Sequence, residues 1–163
     1  MRQLHWFQND LRLADNPALA SATAADSLLC VYLMPKPRPW CNLTGLGPQR
    51  DRFLRESLQA LKSDLQEMGQ DLMVLEGSPE LVLPNLVDRF GIDRISTSDT
   101  PGWYEEKAIR FLEEKLPGLL KIFRGHALFD SEQFPFSLDE LPPTFSPFRR
   151  KVEQLTIPGP VAK

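Results

Sequence analysis

Cysteine is almost missing from this 163-residue chain. Two residues, Cys30 and Cys41, are too few for a disulfide framework or a four-ligand zinc site. Histidine is equally sparse, and neither His5 nor His126 stands in a metal-ligand spacing. No window approaches the ~18 uninterrupted apolar residues of a membrane span. The opening stretch MRQLHWFQNDLRL has no basic segment followed by a long apolar one, so no signal peptide is read and a reducing cytoplasm is expected. Charge of one sign is also lacking: the net charge of −3 argues against a strongly basic nucleic-acid surface across the whole domain. The glycine-rich dinucleotide fingerprint is absent too. Gly45-Leu46-Gly47 has no third glycine and follows the second strand, not the first. No nucleophile elbow and no Ser-His-Asp arrangement is visible.

What is present is one domain's worth of apolar residues, 42% of the chain. A chain of this size buries roughly 70% of its unfolded surface, enough for its own core. Leu4–Phe7, Leu28–Leu33, Leu72–Leu75, Arg94–Thr97 and Leu119–Phe123 read as strands. The second is a near-continuous apolar run, the pattern of a parallel strand buried on both faces. Helical signals fall between them. Asp15-Asn16-Pro17 starts one before Ala18–Ala24. Leu54, Leu58, Leu61, Leu65 and Met68 build an apolar stripe from Pro48 until Gly69 ends it. Ser78-Pro79-Glu80 opens a helix through Phe90, closed by Gly91, and Trp103–Leu116 is helical. Residues 36–47 read as a loop. The alternation predicts an α/β fold: a doubly wound, Rossmann-like, five-stranded parallel sheet with helices on both faces. Six of the 15 prolines lie after residue 130, so the end of the chain is expected to be an irregular, partly mobile arm with one short helix around Phe148–Gln154.

Ligands of such sheets bind beyond the C-terminal strand ends. Two segments there hold suggestive chemistry. Gln8–Arg12 forms either a polar rim contacting a ligand or a loop with an internal Asp10–Arg12 pair. Trp103-Tyr104-Glu105-Glu106 sets two aromatics beside two carboxylates. These would stack on a planar heterocycle and accept its N–H donors, or simply supply acids to a helix's first turn. Cys30, in a buried-type strand, reads as an inert core thiol.

Trp6-Phe7-Gln8-Asn9-Asp10-Leu11-Arg12-Leu13, with Asp15-Asn16-Pro17-Ala18-Leu19, resembles the opening of the photolyase/cryptochrome family, W-F-R-x-D-L-R-L-x-D-N-P-A-L. Arg52-Phe53-Leu54-x-Glu56-Ser57-Leu58 and Leu72-x-Val74-x-x-Gly77-x-Pro79-Glu80 fit the same amino-terminal domain. Phe134-Pro135-Phe136-Ser137 and Leu141-Pro142-x-Thr144-Phe145-Ser146-x-Phe148-Arg149-Arg150 resemble the DASH-type cryptochromes. The resemblance covers nearly the whole chain. It implies the α/β antenna domain of a light-dependent DNA-repair lyase, with residues 1–126 as that domain and 127–163 as an arm leading to a helical FAD-binding domain. The antenna implied is methenyltetrahydrofolate first, with deazaflavin or flavin as alternatives. FAD and damaged, single-stranded DNA belong to the helical domain, so this chain alone is expected to be inactive in repair, and a monomer. The family's antenna-contacting acid falls on Glu106, with Glu105 as its rival. Trp103 and Tyr104 accompany them, and Asn9, Asp10 and Met34 face the same cleft. One departure stands out: Gln8 occupies the position of the family's arginine. The reading from another class is a stand-alone, non-catalytic nucleotide-binding or interaction module of the same fold.

Overall fold

A computed structural model describes residues 1–36, 39–40, 43–129 and 131–161. Pro37 and Cys41 lie outside them. Five strands form one parallel sheet: β1 (Arg2–Phe7), β2 (Ser27–Met34), β5 (Leu72–Glu76), β6 (Arg94–Ser98) and β7 (Leu120–Phe123), in the spatial order β5-β2-β1-β6-β7. The sheet and its covering helices are the α/β fold expected from the alternation. Within the expected loop, Pro39–Trp40 (β3) and Leu43–Thr44 (β4) pair as a short antiparallel hairpin.

Side chains alternate across a strand, and the two faces of the sheet differ. Leu4, Trp6, Val31, Leu33 and Ile95 pack with Leu83, Leu86 and Val87 of α3 (Pro79–Phe90) and Ile109 and Leu112 of α4 (Trp103–Lys115). Phe7, Cys30, Tyr32 and Leu72 face the other way. They meet Leu19 of α1 (Pro17–Ala20) and Leu58, Leu61 and Leu65 of α2 (Pro48–Glu67). Met68 shares the α2 period but lies just past the helix and stays exposed. The helix start at Asn16 is built as its side chain suggests: the Asn16 amide oxygen accepts the Leu19 N–H at 2.9 Å. The helix is shorter than the sequence predicts, ending at Ala20 and giving way to turns. Gly91 closes α3 at φ 60°, the left-handed cap that glycine adopts without strain. Among the described residues no helix is long and apolar enough to cross a membrane.

The segment after β7 holds two 3-10 turns, at Ser131–Gln133 and Leu138–Glu140, and α5 (Phe145–Val152). Phe134, Phe136, Phe145 and Phe148 gather there, the first two stacked at 5.4 Å between centroids, and Lys151 lies 5.0 Å over the Phe136 ring. Further on, the Val161 N–H donates to Asp15 Oδ1 at 3.0 Å, bringing the chain back to the loop ahead of α1.

The α1 side of the sheet is partly polar. His5 is fully buried; its Nδ1 is hydrogen-bonded to Ser96 Oγ at 3.0 Å, and its ring stands edge-on to Phe7 at 4.3 Å. Burial drives its pKa from 6.5 down to about 4, against the opposing pull of Asp10 and Ser96. The folded state therefore refuses a proton that the unfolded chain accepts between these values, so stability falls as pH drops from 6.5 towards 4. This one residue accounts for a loss of roughly 3 kcal/mol over that range. Urea denaturation at pH 7 and pH 4.5 should show a steeper loss in the natural chain than in His5→Asn. Equal losses would contradict the buried neutral imidazole.

Candidate functional site

The strand order reverses at β1: the chain moves outward through β2 to β5, then returns to β6 and continues to β7. Helices leave on opposite faces at this point, so the C-terminal ends of β1 and β6 are not bridged by a crossover. Side chains bridge them instead. Gln8 Nε2 donates to Thr97 Oγ1 at 3.0 Å and to the Ser98 carbonyl at 2.9 Å, and Thr100 Oγ1 donates to Gln8 Oε1 at 3.3 Å. Thr97 Oγ1 in turn donates to the Trp6 carbonyl at 2.9 Å. Asp10 is buried and accepts from the Ser98 hydroxyl and from the Gln8 N–H. A primary amide both donates and accepts, and here every such capacity of Gln8 but one lone pair is used. Arg12 does not pair with the Asp10 carboxylate; its Nε donates to the Asp15 carbonyl at 2.9 Å.

Beside this join lies a cleft of about 610 Å³, a size that suits a small-molecule ligand. Its floor is the strand ends, with Phe7, Asn9, Tyr32 and Met34. One wall carries Lys36, Gly45 and Leu46 ahead of α2; the other carries Ser78 and Glu80 of the α3 start and Tyr104, Glu105 and Ala108 of α4. Two glycines shape the second wall. Gly77 turns from β5 into α3 at φ 138°, and a Cβ there would come within 2.5 Å of Val82. A Cβ on Gly102 would collide with the Glu105 carboxylate, which folds back over the start of its own helix.

The structure divides the seven residues singled out from sequence. Asn9, Met34, Tyr104 and Glu105 meet on this cleft. Asp10 lies beneath it, committed to Ser98. Trp103 is 65% exposed, edge-on to Tyr104 at 4.8 Å and under Lys107, and lines neither this cleft nor its neighbour. Glu106 points elsewhere. It faces a second cleft of about 770 Å³ with Asp99, Arg124, His126 and Leu138, and its carboxylate lies 3.5 Å from Arg110. Successive helix positions differ by about 100° in direction, which separates Glu105 from Glu106. Sequence reasoning passed over Tyr32 and Glu80. The signal was available, since both follow directly from their positions at the end of β2 and in the first turn of α3. Cys30 is sealed in the core, and burial pushes its thiol up to about 12, which removes it from any reactive role.

Comparison with known proteins adds identity to this geometry. Residues 3–162 match the family model for DNA photolyase. A cryptochrome DASH of Idiomarina loihiensis is 35% identical over 158 residues, covering 92% of this chain and 34% of that protein. The chain thus spans about a third of the length of the curated relatives it matches. Among solved structures, the Synechocystis cryptochrome superposes with a TM-score of 0.91 at 30% identity, covering 99% of this chain and 35% of that one. A bacterial class III photolyase from Agrobacterium tumefaciens does so at 0.78 and 28% identity, covering 93% and 31%.

Gln8 is the testable centre of the join. Gln8→Ala deletes its side-chain bonds and strands Thr100, so a loss of about 1–3 kcal/mol in unfolding free energy is expected. Gln8→Glu, which sets a carboxylate against the Ser98 carbonyl and beside Asp10, should cost more. A Gln8→Ala chain as stable as the natural one would show the join to be slack.

Proposed function

Because the chain belongs to the DNA photolyase family, we propose that it is a DASH-like antenna module whose switch-point cleft receives a planar, light-absorbing heterocycle. The observation that carries this is the convergence of Met34, Tyr104 and Glu105 on one cleft of about 610 Å³. The residues fit such a group. A thioether and an aromatic ring offer apolar, polarisable faces, and a carboxylate accepts ring N–H donors. Asn9, carried between two residues fastened to β6, adds a neutral donor and acceptor at the rim.

In this reading residues 1–126 carry the site and residues 127–163 form the arm towards a helical FAD-binding domain. Methenyltetrahydrofolate is the first candidate for the heterocycle, with deazaflavin and flavin behind it. Once bound, such a chromophore would supply excitation energy to the flavin of that helical domain, for light-driven repair of cyclobutane pyrimidine dimers in damaged DNA. The residues of this chain do less: they orient the ring and keep one edge hydrogen-bonded. It acts as a cytoplasmic monomer with respect to other copies of itself. A light-dependent repair assay on the 163-residue chain should give no turnover.

A second placement has one observation in its favour: Glu106 lies on the neighbouring cleft, against the arm. Absorbance titration with methenyltetrahydrofolate separates the two. Glu105→Gln should weaken binding about tenfold, ~1.4 kcal/mol, and Glu106→Gln should leave it unchanged. The reverse pattern would move the chromophore to the arm side. Binding of ATP or AMP without any chromophore would favour the non-catalytic nucleotide module instead.

A further inference from the structure

The Gly45-Leu46-Gly47 turn fails as a dinucleotide fingerprint, yet Gly45 and Leu46 line the cleft and lead directly into α2. That 20-residue helix begins without a side-chain cap: Gly47 has nothing to offer, and Pro48 has no N–H. The N–H groups of Gln49 and Arg50 are therefore free at its positive end. Asp51, the acid of this first turn, is engaged by Arg55 Nε at 2.9 Å and points along the helix.

An independent feature lies on the floor of the same cleft. Tyr32 closes the cleft floor on the α2 side; it is 7% exposed, and its hydroxyl has no hydrogen-bond partner among the described residues. The hydroxyl oxygen is not among the sealed polar atoms of the core, and Tyr32 lines the cleft. Arg50 is close enough to oppose the rise that burial imposes on the phenol's pKa. Lys36 lines the same wall, and neither cation has an ion-pair partner among the described residues. The opposite wall is acidic, with Glu80 and Glu105. The cleft is thus polarised across its width.

We infer that the α2 end of the cleft holds an anionic arm tethered to the bound ring, gripped by the Tyr32 hydroxyl and Lys36 and favoured by the positive field of Arg50 and the uncapped start of α2. The inference rests on the reading of this cleft as the heterocycle's site. The shared chemistry is a compact anion, phosphate or carboxylate, on a flexible linker. The ring's N–H edge then faces Glu105, and the arm points away from it.

Fluorescence titration with two probe pairs tests this: riboflavin against FMN, which differ by a phosphate, and pterin against folic acid, which differ by an arm ending in carboxylates. In whichever pair binds, the anionic member should bind about tenfold tighter at low salt, with the preference shrinking as salt rises. The pair showing the larger preference identifies the arm. Arg50→Gln, at the exposed helix start, should cut the preference about threefold or more and leave the neutral member's affinity unchanged, and Tyr32→Phe, which keeps the ring's volume on the cleft floor, should cut the preference by a similar factor. Equal binding within both pairs, or a preference that survives both substitutions, would overturn the anionic arm while leaving the cleft's role intact. Failure of all four probes to bind would overturn the cleft as the site, and the arm with it.

Discussion

The working edge of this molecule depends on the join between β1 and β6. Their backbone ladder runs out at Trp6 and Thr97, and no helix spans the gap beyond. Chain segments diverge here to opposite faces, which opens a crevice but also leaves two strand ends unsupported. Gln8, Asp10, Thr97, Ser98 and Thr100 extend the pairing by side chains for several more residues. A neutral amide suits this role because it can donate to a carbonyl and a hydroxyl while accepting from another hydroxyl. Asn9 sits between two anchored neighbours, so the rim of the cleft inherits the rigidity of the sheet. The family's arginine at position 8 could not accept the Thr100 bond, so the glutamine is a different fastening rather than a weaker copy.

The fold was legible where burial leaves a simple trace. β2 lies inside the sheet between β1 and β5, and its near-continuous apolar run says so without tertiary information, whereas the similar run of β5 stands at the edge and leaves Val74 exposed. The α2 stripe and the glycines that stop α2 and α3 are equally local. The α1 helix was harder. Ala18–Ala24 is rich in helix-favouring alanine, yet the helix closes after one turn because its small residues are used to approach the sheet, where Ala18 and Ala22 are fully buried. The site was legible as a neighbourhood, not as a set of contacts. Adjacent residues on a helix point to different clefts, so the choice between Glu105 and Glu106 turns on the angle at which α4 lies on the sheet. Gln8 gave no local sign of its role, since its partners stand about 90 positions away.

The two faces of the sheet divide the labour of folding and specificity. The α3/α4 face is apolar and carries the larger of the two buried clusters among the described residues. The α1 face carries Gln3, His5 and Ser96 in its interior, and both polar atoms of the Gln3 amide lack a partner among the described residues. Such groups subtract from stability. They also fix register: a slip of one residue in β1 would turn Gln3 and His5 into the Leu83–Leu86 layer and move Leu4 and Trp6 out of it.

His5 and Ser96 lie 91 residues apart, and the same is true of Thr97 and Trp6. On a chain made from its amino terminus, β1 finds β2 early and β5 adds to the far side of β2 soon after, while β6 does not yet exist. For that interval one edge of β1 offers unpaired backbone groups, a template on which any extended segment can add. A nascent chain stalled before residue 94 would carry the apolar side chains of half a sheet beside an open strand. The join that shapes the cleft therefore cannot close until β6 has been made, and until then the growing chain is open to misassociation at the place where the folded domain is stitched by Gln8, Thr97 and Ser98.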